Sequence, residues 1–215
     1  MSDARPTPRP TVGRPKDPAK RAAVLDAAMS LFSGQGFDGV SMDQIAQAAG
    51  VSKLTVYSHF GDKEGLLSAV VRAYCEHEMP MELFEPSPEM PLRPRLMEIA
   101  QAFYAMISGP QAIAGHRMLC APHAMTPQLA QLFWQAGPER IQAGLAELLR
   151  RRVAVGELAI EDPDMAATHF FALLKGEPYA RLMIGFPADM DDAATGRHLT
   201  GVVDMFLRAY RADAS

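Results

Sequence analysis

Apolar side chains along this chain recur at helical spacing rather than in alternation. The first stripe follows residue 19 and consists of Val24, Leu25, Ala28, Leu31 and Phe32. Separations of one, three and four residues place these side chains on one face of a helix. Two glycines follow within four residues of the stripe. The pattern therefore predicts a helix that begins near residue 19 and ends at these glycines.

The same periodicity continues through the second half of the chain, where glycines and prolines bound most of the stripes. It predicts helices at about 95–108, 111–121, 127–136, 138–155, 163–185 and 191–211. Asp162 is placed to cap the fifth of these, and Pro163 suits its first position. Hydrophobic residues make up 48% of the chain but aromatic ones only 7%, which favours helices over strands. We therefore expect an all-α protein.

Prolines interrupt this pattern in two places. Five prolines within residues 1–18 exclude regular structure there, because each fixes its backbone and lacks an amide donor. A second cluster lies between residues 80 and 94 and marks a connection. We expect a disordered, proline-rich arm at 1–18, a first domain with a connecting helix at 19–80, and a larger helical domain at 81–215.

Residues 41–60 carry the most informative motif. Ser41 followed three positions later by Gln44 is a capping box, which predicts the start of a short helix. Gly50 can leave that helix in the left-handed conformation, and Ser52 can cap the next one. Two short helices joined by a tight glycine turn are typical of a helix-turn-helix. The alternative is an ordinary helical hairpin with one polar face.

The second helix of this motif leaves most of its side chains outside. Val56 and Phe60 are placed for packing, which leaves outward Lys53, Leu54, Thr55, Tyr57, Ser58 and His59. Lysine and threonine can donate to guanine or phosphate, leucine can touch a thymine methyl group, and tyrosine and histidine can reach the DNA backbone. This helix is therefore expected to read the major groove of double-stranded DNA.

The segment from Lys20 to Leu67 resembles the DNA-binding domain of the tetracycline-repressor (TetR) family. The matching residues are Phe32, Gly36, Phe37, Ile45, Ala46, Ala49, Gly50, Val51, Ser52, Tyr57, Phe60, Lys63, Glu64 and Leu66. The resemblance implies that Ser41 and Lys63 bind phosphates at helix starts, where the helix dipole attracts anions. It places on the recognition helix or at its start Ser52, Lys53, Leu54, Thr55, Tyr57 and His59. A leucine at position 54 departs from the small or polar residue common there, so the base that it contacts stays open.

Charge is distributed unevenly along the chain. Residues 1–21 hold six basic and two acidic side chains, whereas the whole chain has a net charge of −4. Clustered basic residues bind DNA by releasing counterions from its phosphates. We expect Arg14, just before the first helix, to enter an adjacent minor groove. The alternative is a solvated arm without a partner.

The larger domain resembles, more loosely, the C-terminal domain of AefR-like members of the family, through residues 133–140 and 171–177. This resemblance implies a helical sensor that dimerises through its last two long helices. A homodimer also follows from the DNA argument, because one helix-turn-helix reads only a few base pairs and two copies read a palindrome.

A small apolar or aromatic inducer is expected to bind within this domain, because soft and aromatic side chains adapt to such ligands. The candidate ligand-binding residues are Phe103, Met106, Met118, Phe133, Trp134, Phe170, Tyr179 and Met183. For each of these residues the alternative is a place in the ordinary hydrophobic core.

The sequence shows no pattern that we interpret as catalytic or metal-binding. It has no glycine-rich phosphate loop or catalytic triad, so we expect neither an enzyme nor a cofactor. His116, Cys120 and His123 would share a face of a regular helix, but Pro122 disturbs that helix and a fourth metal ligand is not evident. Cys75 and Cys120 form a redox pair only if they meet within disulfide distance. With neither a signal peptide nor an apolar run of membrane-spanning length, a cytoplasmic protein is predicted.

These features together predict a sequence-specific transcriptional repressor. It would bind a palindromic operator as a homodimer and leave it when the inducer binds. An activator, or an architectural DNA-binding protein without a ligand, is the alternative.

Overall fold

The computed structural model describes residues 17–85, 90–120, 126–186 and 192–212. Over these ranges the chain is helical, as predicted, and none of the helices is long and apolar enough to cross a membrane. The helices are α1 Pro18–Gln35, α2 Met42–Ala48, α3 Lys53–Phe60, α4 Lys63–Glu78, α5 Leu92–Ser108, α6 Pro110–Leu119, α7 Pro127–Ala136, α8 Pro138–Ala154, α9 Pro163–Met183 and α10 Asp192–Tyr210. A short 3-10 helix, Met81–Phe84, lies in the proline-rich connection.

Helices α1 to α4 enclose the first hydrophobic core. Its buried residues are Val24, Leu25, Ala28, Phe32, Phe37, Val40, Met42, Ile45, Ala46, Val56, Leu66, Leu67, Val70 and Leu129. Leu129 belongs to α7, and Met118 of α6 packs against the same core. The first domain is therefore in direct contact with helices of the larger one. The predicted boundary near residue 80 stays a prediction.

Helices α5, α8, α9 and α10 form the second core together with the 3-10 helix. Phe170 and Phe206 are fully buried there, with ring centroids 5.0 Å apart. Burial of each large side chain contributes about 1.5–3 kcal/mol to folding. Helices α6 and α7 lie between the two cores, in contact with α1 and α4 on one side and with α5, α8 and α9 on the other.

The local signals of the helix-turn-helix are confirmed. The Gln44 amide donates to Ser41 Oγ over 3.2 Å, and the Ser41 amide donates to Gln44 Oε1 over 2.8 Å. The Thr55 amide donates to Ser52 Oγ over 3.2 Å, so Ser52 caps α3. Gly50 has a φ of +65°, in the left-handed region that a side chain disfavours. The sequence thus specifies both helix starts and the turn between them.

Helix α5 begins earlier than predicted, at Leu92 instead of about residue 95. Pro94 lies in its first turn, where amide groups have no partner within the helix, so a proline costs no hydrogen bond there.

Helix α9 differs more from its prediction, because it is broken near its end. Gly176 has a φ of +48° and a ψ of −159°, which are not helical values. Two residues later, Pro178 lacks the amide that would have bonded to the carbonyl of Leu174. That carbonyl instead lies 2.9 Å from His198 Nε2 of α10. Because a carbonyl only accepts, His198 donates from Nε2, and the break leaves no unpaired group at this position.

The turn glycine can be tested by a pair of substitutions with opposite expected signs. Gly50→Ala should lower the free energy of unfolding by about 1 kcal/mol, because the left-handed conformation is strained for any residue with a Cβ. Space is not the cause, since an added Cβ would have no heavy atom within 4 Å. Gly34→Ala, at an equally open helical position near the end of α1, should instead raise the free energy of unfolding by up to about 1 kcal/mol, because glycine in a helix loses more conformational freedom on folding than alanine.

Urea unfolding of the two variants beside the unsubstituted chain measures both effects. A Gly50→Ala variant as stable as the Gly34→Ala variant would contradict the account of the turn.

Candidate functional site

Helix α3 presents its outer face to solvent. Val56 is fully buried and fixes the helix on the first core, whereas Leu54 is 79% exposed and Tyr57 41% exposed. Lys53 and Ser52 are also exposed, and Thr55 and His59 are half-buried. The outward face predicted for this helix is therefore present.

Lys53 is held by an acidic residue of the neighbouring helix. Its Nζ lies 2.8 Å from Asp43 Oδ2 of α2 and 5.9 Å from the centroid of the Tyr57 ring. The hydrogen bond and the charge of Asp43 raise the pKa of Lys53 above its usual value. Both partners of this ion pair are well exposed, so it contributes little to stability and a phosphate can compete for the lysine.

Lys63, predicted to bind phosphate, is occupied differently. Its Nζ donates to the carbonyls of Phe37, over 2.8 Å, and Val40, over 3.0 Å. It also stands 4.4 Å from the centroid of the Phe37 ring. Lys63 therefore fastens the segment that leads into α2, and one of the three donors of its ammonium group remains for another acceptor.

The remaining predicted DNA-contact residues have structural partners or lie outside the described residues. Ser41 Oγ accepts the Gln44 amide, and Ser52 Oγ lies 2.8 Å from Thr55 Oγ1. These hydroxyl groups fix the starts of α2 and α3. Arg14 lies outside the described residues.

A cavity of about 270 Å³ lies between the two cores. Helices α1, α4, α5, α6, α7, α8 and α9 all contribute residues to its wall. Six of the eight predicted ligand residues line it, namely Phe103, Met106, Met118, Phe133, Trp134 and Tyr179. The structure therefore brings together most of the soft and aromatic side chains that the sequence offered as candidates.

Phe170 and Met183, the other two candidates, do not line this cavity. Phe170 is fully buried inside the second core, where its ring packs against those of Phe171 and Phe206. Met183 is the last residue of α9, and its carbonyl accepts a hydrogen bond from Arg117 Nε over 3.0 Å. In place of Phe170, the adjacent Phe171 reaches the cavity.

Part of the cavity wall was missed by sequence reasoning. It comes from α1 and α4 and consists of Met29, Phe32, Ser33, Leu67, Val70, Val71, Tyr74 and Cys75. The apolar stripes of these helices show which residues face inward, but not that part of the stripe meets a cavity. The cavity is therefore shared by the helix-turn-helix domain and the larger domain.

Polar groups are concentrated at the α6–α9 side of this mainly apolar cavity. The hydroxyl of Tyr179 lies 3.0 Å from His116 Nδ1. Burial, followed by the charge of Lys175, lowers the pKa of His116, so its imidazole is neutral near pH 7. Burial also lowers the pKa of Lys175. At the α4 side, the Tyr74 hydroxyl donates to the Met106 carbonyl over 2.8 Å, and burial raises the pKa of Tyr74 to about 12.

The two cysteines are free thiols in different surroundings. Cys75 borders the cavity, and burial raises its pKa to about 11, partly offset by the charge of Arg140. Cys120 is exposed at the end of α6. Within the described residues no three histidine, cysteine or acidic side chains are grouped to hold a metal ion. His123, the third residue of the metal alternative, lies outside them.

The two cysteines should differ strongly in reactivity. With a pKa of about 11, only about one Cys75 side chain in a thousand is ionised near pH 8, and the thiolate is the nucleophile. We expect iodoacetamide to modify Cys120 in the folded protein and to spare Cys75 until the pH approaches that value. Mass spectrometry of tryptic peptides measures both sites.

The guanidinium-unfolded chain is the control, in which both thiols react. Equal modification of the two cysteines in the folded protein would contradict the half-buried position and the raised pKa of Cys75.

Comparisons with known proteins agree with this arrangement of two domains. The family model for bacterial regulatory proteins of the tetR family matches residues 24–70. The model for the AefR-like transcriptional repressor C-terminal domain matches residues 94–212. The chain is also 28% identical over 163 residues to the HTH-type transcriptional regulator SrpR of Pseudomonas putida, which covers 75% of each protein.

Solved structures extend the similarity over most of the chain. A tetR-family transcriptional regulator from Mesorhizobium loti is 29% identical, with a TM-score of 0.76 over 91% of this chain and 100% of that one. The flavonoid-responsive regulator FrrA is 32% identical, with a TM-score of 0.72 over 91% of this chain and 98% of that one. This chain therefore belongs to the TetR family of DNA-binding transcriptional regulators, with an AefR-like C-terminal domain, and it is not an enzyme.

Proposed function

We propose that this protein acts in the cytoplasm as a homodimeric repressor that binds a palindromic operator and leaves it when a small aromatic ligand occupies the cavity. The observation that carries this proposal is the shared cavity wall. Helices α1 and α4 belong to the helix-turn-helix domain, yet they line the same cavity as α5 to α9. A ligand there touches both the sensor and the DNA-binding unit.

Sequence recognition is assigned to the outer face of α3. Lys53 would exchange Asp43 for a DNA phosphate or a guanine, and the exposed Leu54 would cover a thymine methyl group. Tyr57 and His59 would contact the backbone together with Ser41, Ser52, Thr55 and Lys63. Arg14 would enter the neighbouring minor groove.

The dimer interface is assigned to the outer faces of α9 and α10. Met165 and Leu173 of α9 and Met205 of α10 are large apolar side chains that are 39–50% exposed. Gly201 lies one turn before Met205, and an added Cβ there would have no heavy atom within 4 Å. A small residue beside exposed apolar ones permits close approach of a second helix. A second copy related by a two-fold axis would cover this face.

Ligand binding and DNA binding would be coupled through α6 and α4. Met118 of α6 packs against the first core and also lines the cavity. A ligand that changes the spacing of α6 and α4 would tilt the helix-turn-helix domain. In the dimer such a tilt changes the distance between the two recognition helices, which must match half-sites about one DNA turn apart. The ligand shifts the equilibrium only by the difference between its affinities for the two states.

An aromatic ligand is favoured by the cavity itself and by one relative. Phe103, Phe133, Trp134 and Phe171 supply rings, and Met29, Met106 and Met118 supply flexible thioether side chains. A volume of about 270 Å³ is close to the lower end, ~300 Å³, of small-molecule sites, which suits a compact ligand. FrrA, 32% identical, is named for its response to flavonoids, which are compact aromatic compounds.

Selection of the purified protein on a random DNA pool tests the DNA-binding part of the proposal. A palindrome should be enriched, and Lys53→Ala should weaken binding to it. If Lys53 contacts a phosphate, the slope of log affinity against log salt should also fall by about two, one for each protomer of the dimer. Asp43→Asn is the matched variant, since it removes the partner of Lys53 but keeps the lysine. It should bind the palindrome at least as tightly as the unsubstituted chain.

Binding without an enriched sequence would contradict the operator-reading function. An unchanged affinity of Lys53→Ala would remove this lysine from the interface.

The proposed dimer face can be tested by a substitution at a position where the protomer has space for a larger side chain. Gly201→Leu should fold normally, because the position is open, but it should weaken or abolish the dimer and with it the affinity for the palindrome. Gly196→Leu, also open at its Cβ and turned by about 140° on the same helix, is the control and should remain dimeric. Analytical ultracentrifugation measures both. A dimeric Gly201→Leu variant would place the interface elsewhere.

A further inference from the structure

Among the described residues that line the cavity, one side chain is charged. Lys175 of α9 borders the cavity although the residue as a whole is exposed to solvent, and within the described part of the chain no aspartate or glutamate lines the wall. Nor does any described carboxylate form an ion pair with Lys175. A cation beside apolar surfaces without a counter-ion is stabilised by an anion that binds next to it.

Two further polar groups stand beside this lysine. Lys175 Nζ lies 6.0 Å from the centroid of the Tyr179 ring, and the Tyr179 hydroxyl lies 3.0 Å from His116 Nδ1. In one arrangement the Tyr179 hydroxyl donates to His116 Nδ1, and the hydroxyl oxygen can still accept a hydrogen bond. In the other arrangement His116 donates from Nδ1 to the hydroxyl oxygen, and the hydroxyl can then donate to a ligand. The three residues form one polar corner in a cavity that is otherwise mainly apolar.

The break in α9 lies inside this corner. Gly176 and Pro178, which interrupt the helix, stand between Lys175 and Tyr179. His198 holds the broken segment by its contact with the Leu174 carbonyl, and an added Cβ on Gly176 would lie 3.2 Å from the His198 ring. The backbone that carries the lysine and the tyrosine is therefore held against α10 at Leu174 and Gly176.

We propose that the corner formed by Lys175, Tyr179 and His116 recognises one ionised oxygen, a phenolate or a carboxylate, on a compact aromatic ligand. The aromatic body lies among the rings and methionines, and the acidic oxygen pairs with Lys175. It also accepts a hydrogen bond from the Tyr179 hydroxyl, which is free to donate to the ligand when His116 donates from Nδ1. This inference rests on the proposed ligand-responsive function, because it names the ligand class of the same cavity.

Trp134 supplies the readout, because it is the one tryptophan of the chain and lines the cavity. Dissociation constants are measured by quenching of its fluorescence at mildly alkaline pH with two matched pairs of probes. One pair is a hydroxyflavone and its methyl ether, and the other is naphthoate and naphthamide. In each pair the acid should bind about tenfold more tightly than its neutral partner, as expected for a partly solvated, charge-assisted contact.

Three variants assign that preference to the lysine. Lys175→Met should abolish the preference for the acid and leave binding of the neutral partner unchanged, whereas Lys175→Arg should keep the preference. Arg181→Met removes a cation from the same helix but outside the cavity wall, and it should behave like the unsubstituted chain. A larger preference for the acid in the hydroxyflavone pair would indicate a phenolate ligand, and a larger preference in the naphthoate pair would indicate a carboxylate ligand.

Operator release by the same probes separates this inference from the proposed function. Acid and neutral partners that bind equally and both release the operator would contradict the polar corner and support the function. A preference for the acid that depends on Lys175, without operator release, would support the corner and contradict the ligand response. If none of the four probes quenches Trp134, both are contradicted.

Discussion

Helix α4 packs into both hydrophobic cores, and the remainder of the structure is arranged around this constraint. Its first half contributes Leu66, Leu67 and Val70 to the core of the helix-turn-helix domain. Its second half packs Tyr74 and Cys75 against the core of the larger domain. A single helix of about four and a half turns cannot bend independently at each end, so a change in one core is transmitted to the other.

The cavity occupies the place where these two cores fail to close. Side chains on its wall lack some of the contacts that a filled core would supply, and a ligand of matching shape restores them. These apolar contacts do not depend on orientation, whereas the polar corner favours one orientation of the ligand. An apolar wall favours any ring of suitable size, whereas Lys175 and the pair formed by Tyr179 and His116 distinguish molecules that differ by one acidic oxygen. Affinity and specificity thus come from different parts of the same cavity.

Sequence reasoning succeeded where the determinants are local. The capping box at Ser41, the left-handed Gly50 and the cap at Ser52 each depend on residues within four positions, and the structure has all three. It failed where the determinant is a distant neighbour. The sequence offered Phe170 as a ligand-binding residue with the hydrophobic core as the alternative, but it did not show that Phe170 packs against Phe206.

Other differences carried a weak signal in the sequence. Gly176 and Pro178, two residues apart, are a sufficient reason for a break in α9, although the apolar pattern continues across them. Nothing in the sequence near Lys63 shows that its ammonium group binds the carbonyls of Phe37 and Val40, because that contact joins segments more than twenty residues apart. The share of the cavity wall that comes from α1 and α4 likewise depends on how the two domains dock.

If ligand and operator bind to one coupled system, the effect of each on the binding of the other must be reciprocal. Suppose that a ligand lowers the affinity of the protein for the operator by a given factor. Thermodynamic linkage then requires that the operator lower the affinity of the protein for the ligand by the same factor. The measurement is the affinity of one cavity probe, followed through Trp134, in the absence and in the presence of saturating operator DNA. The account predicts a weaker affinity with operator, by the factor found in the reverse experiment. Equal affinities would show that the cavity and the recognition helices are not coupled.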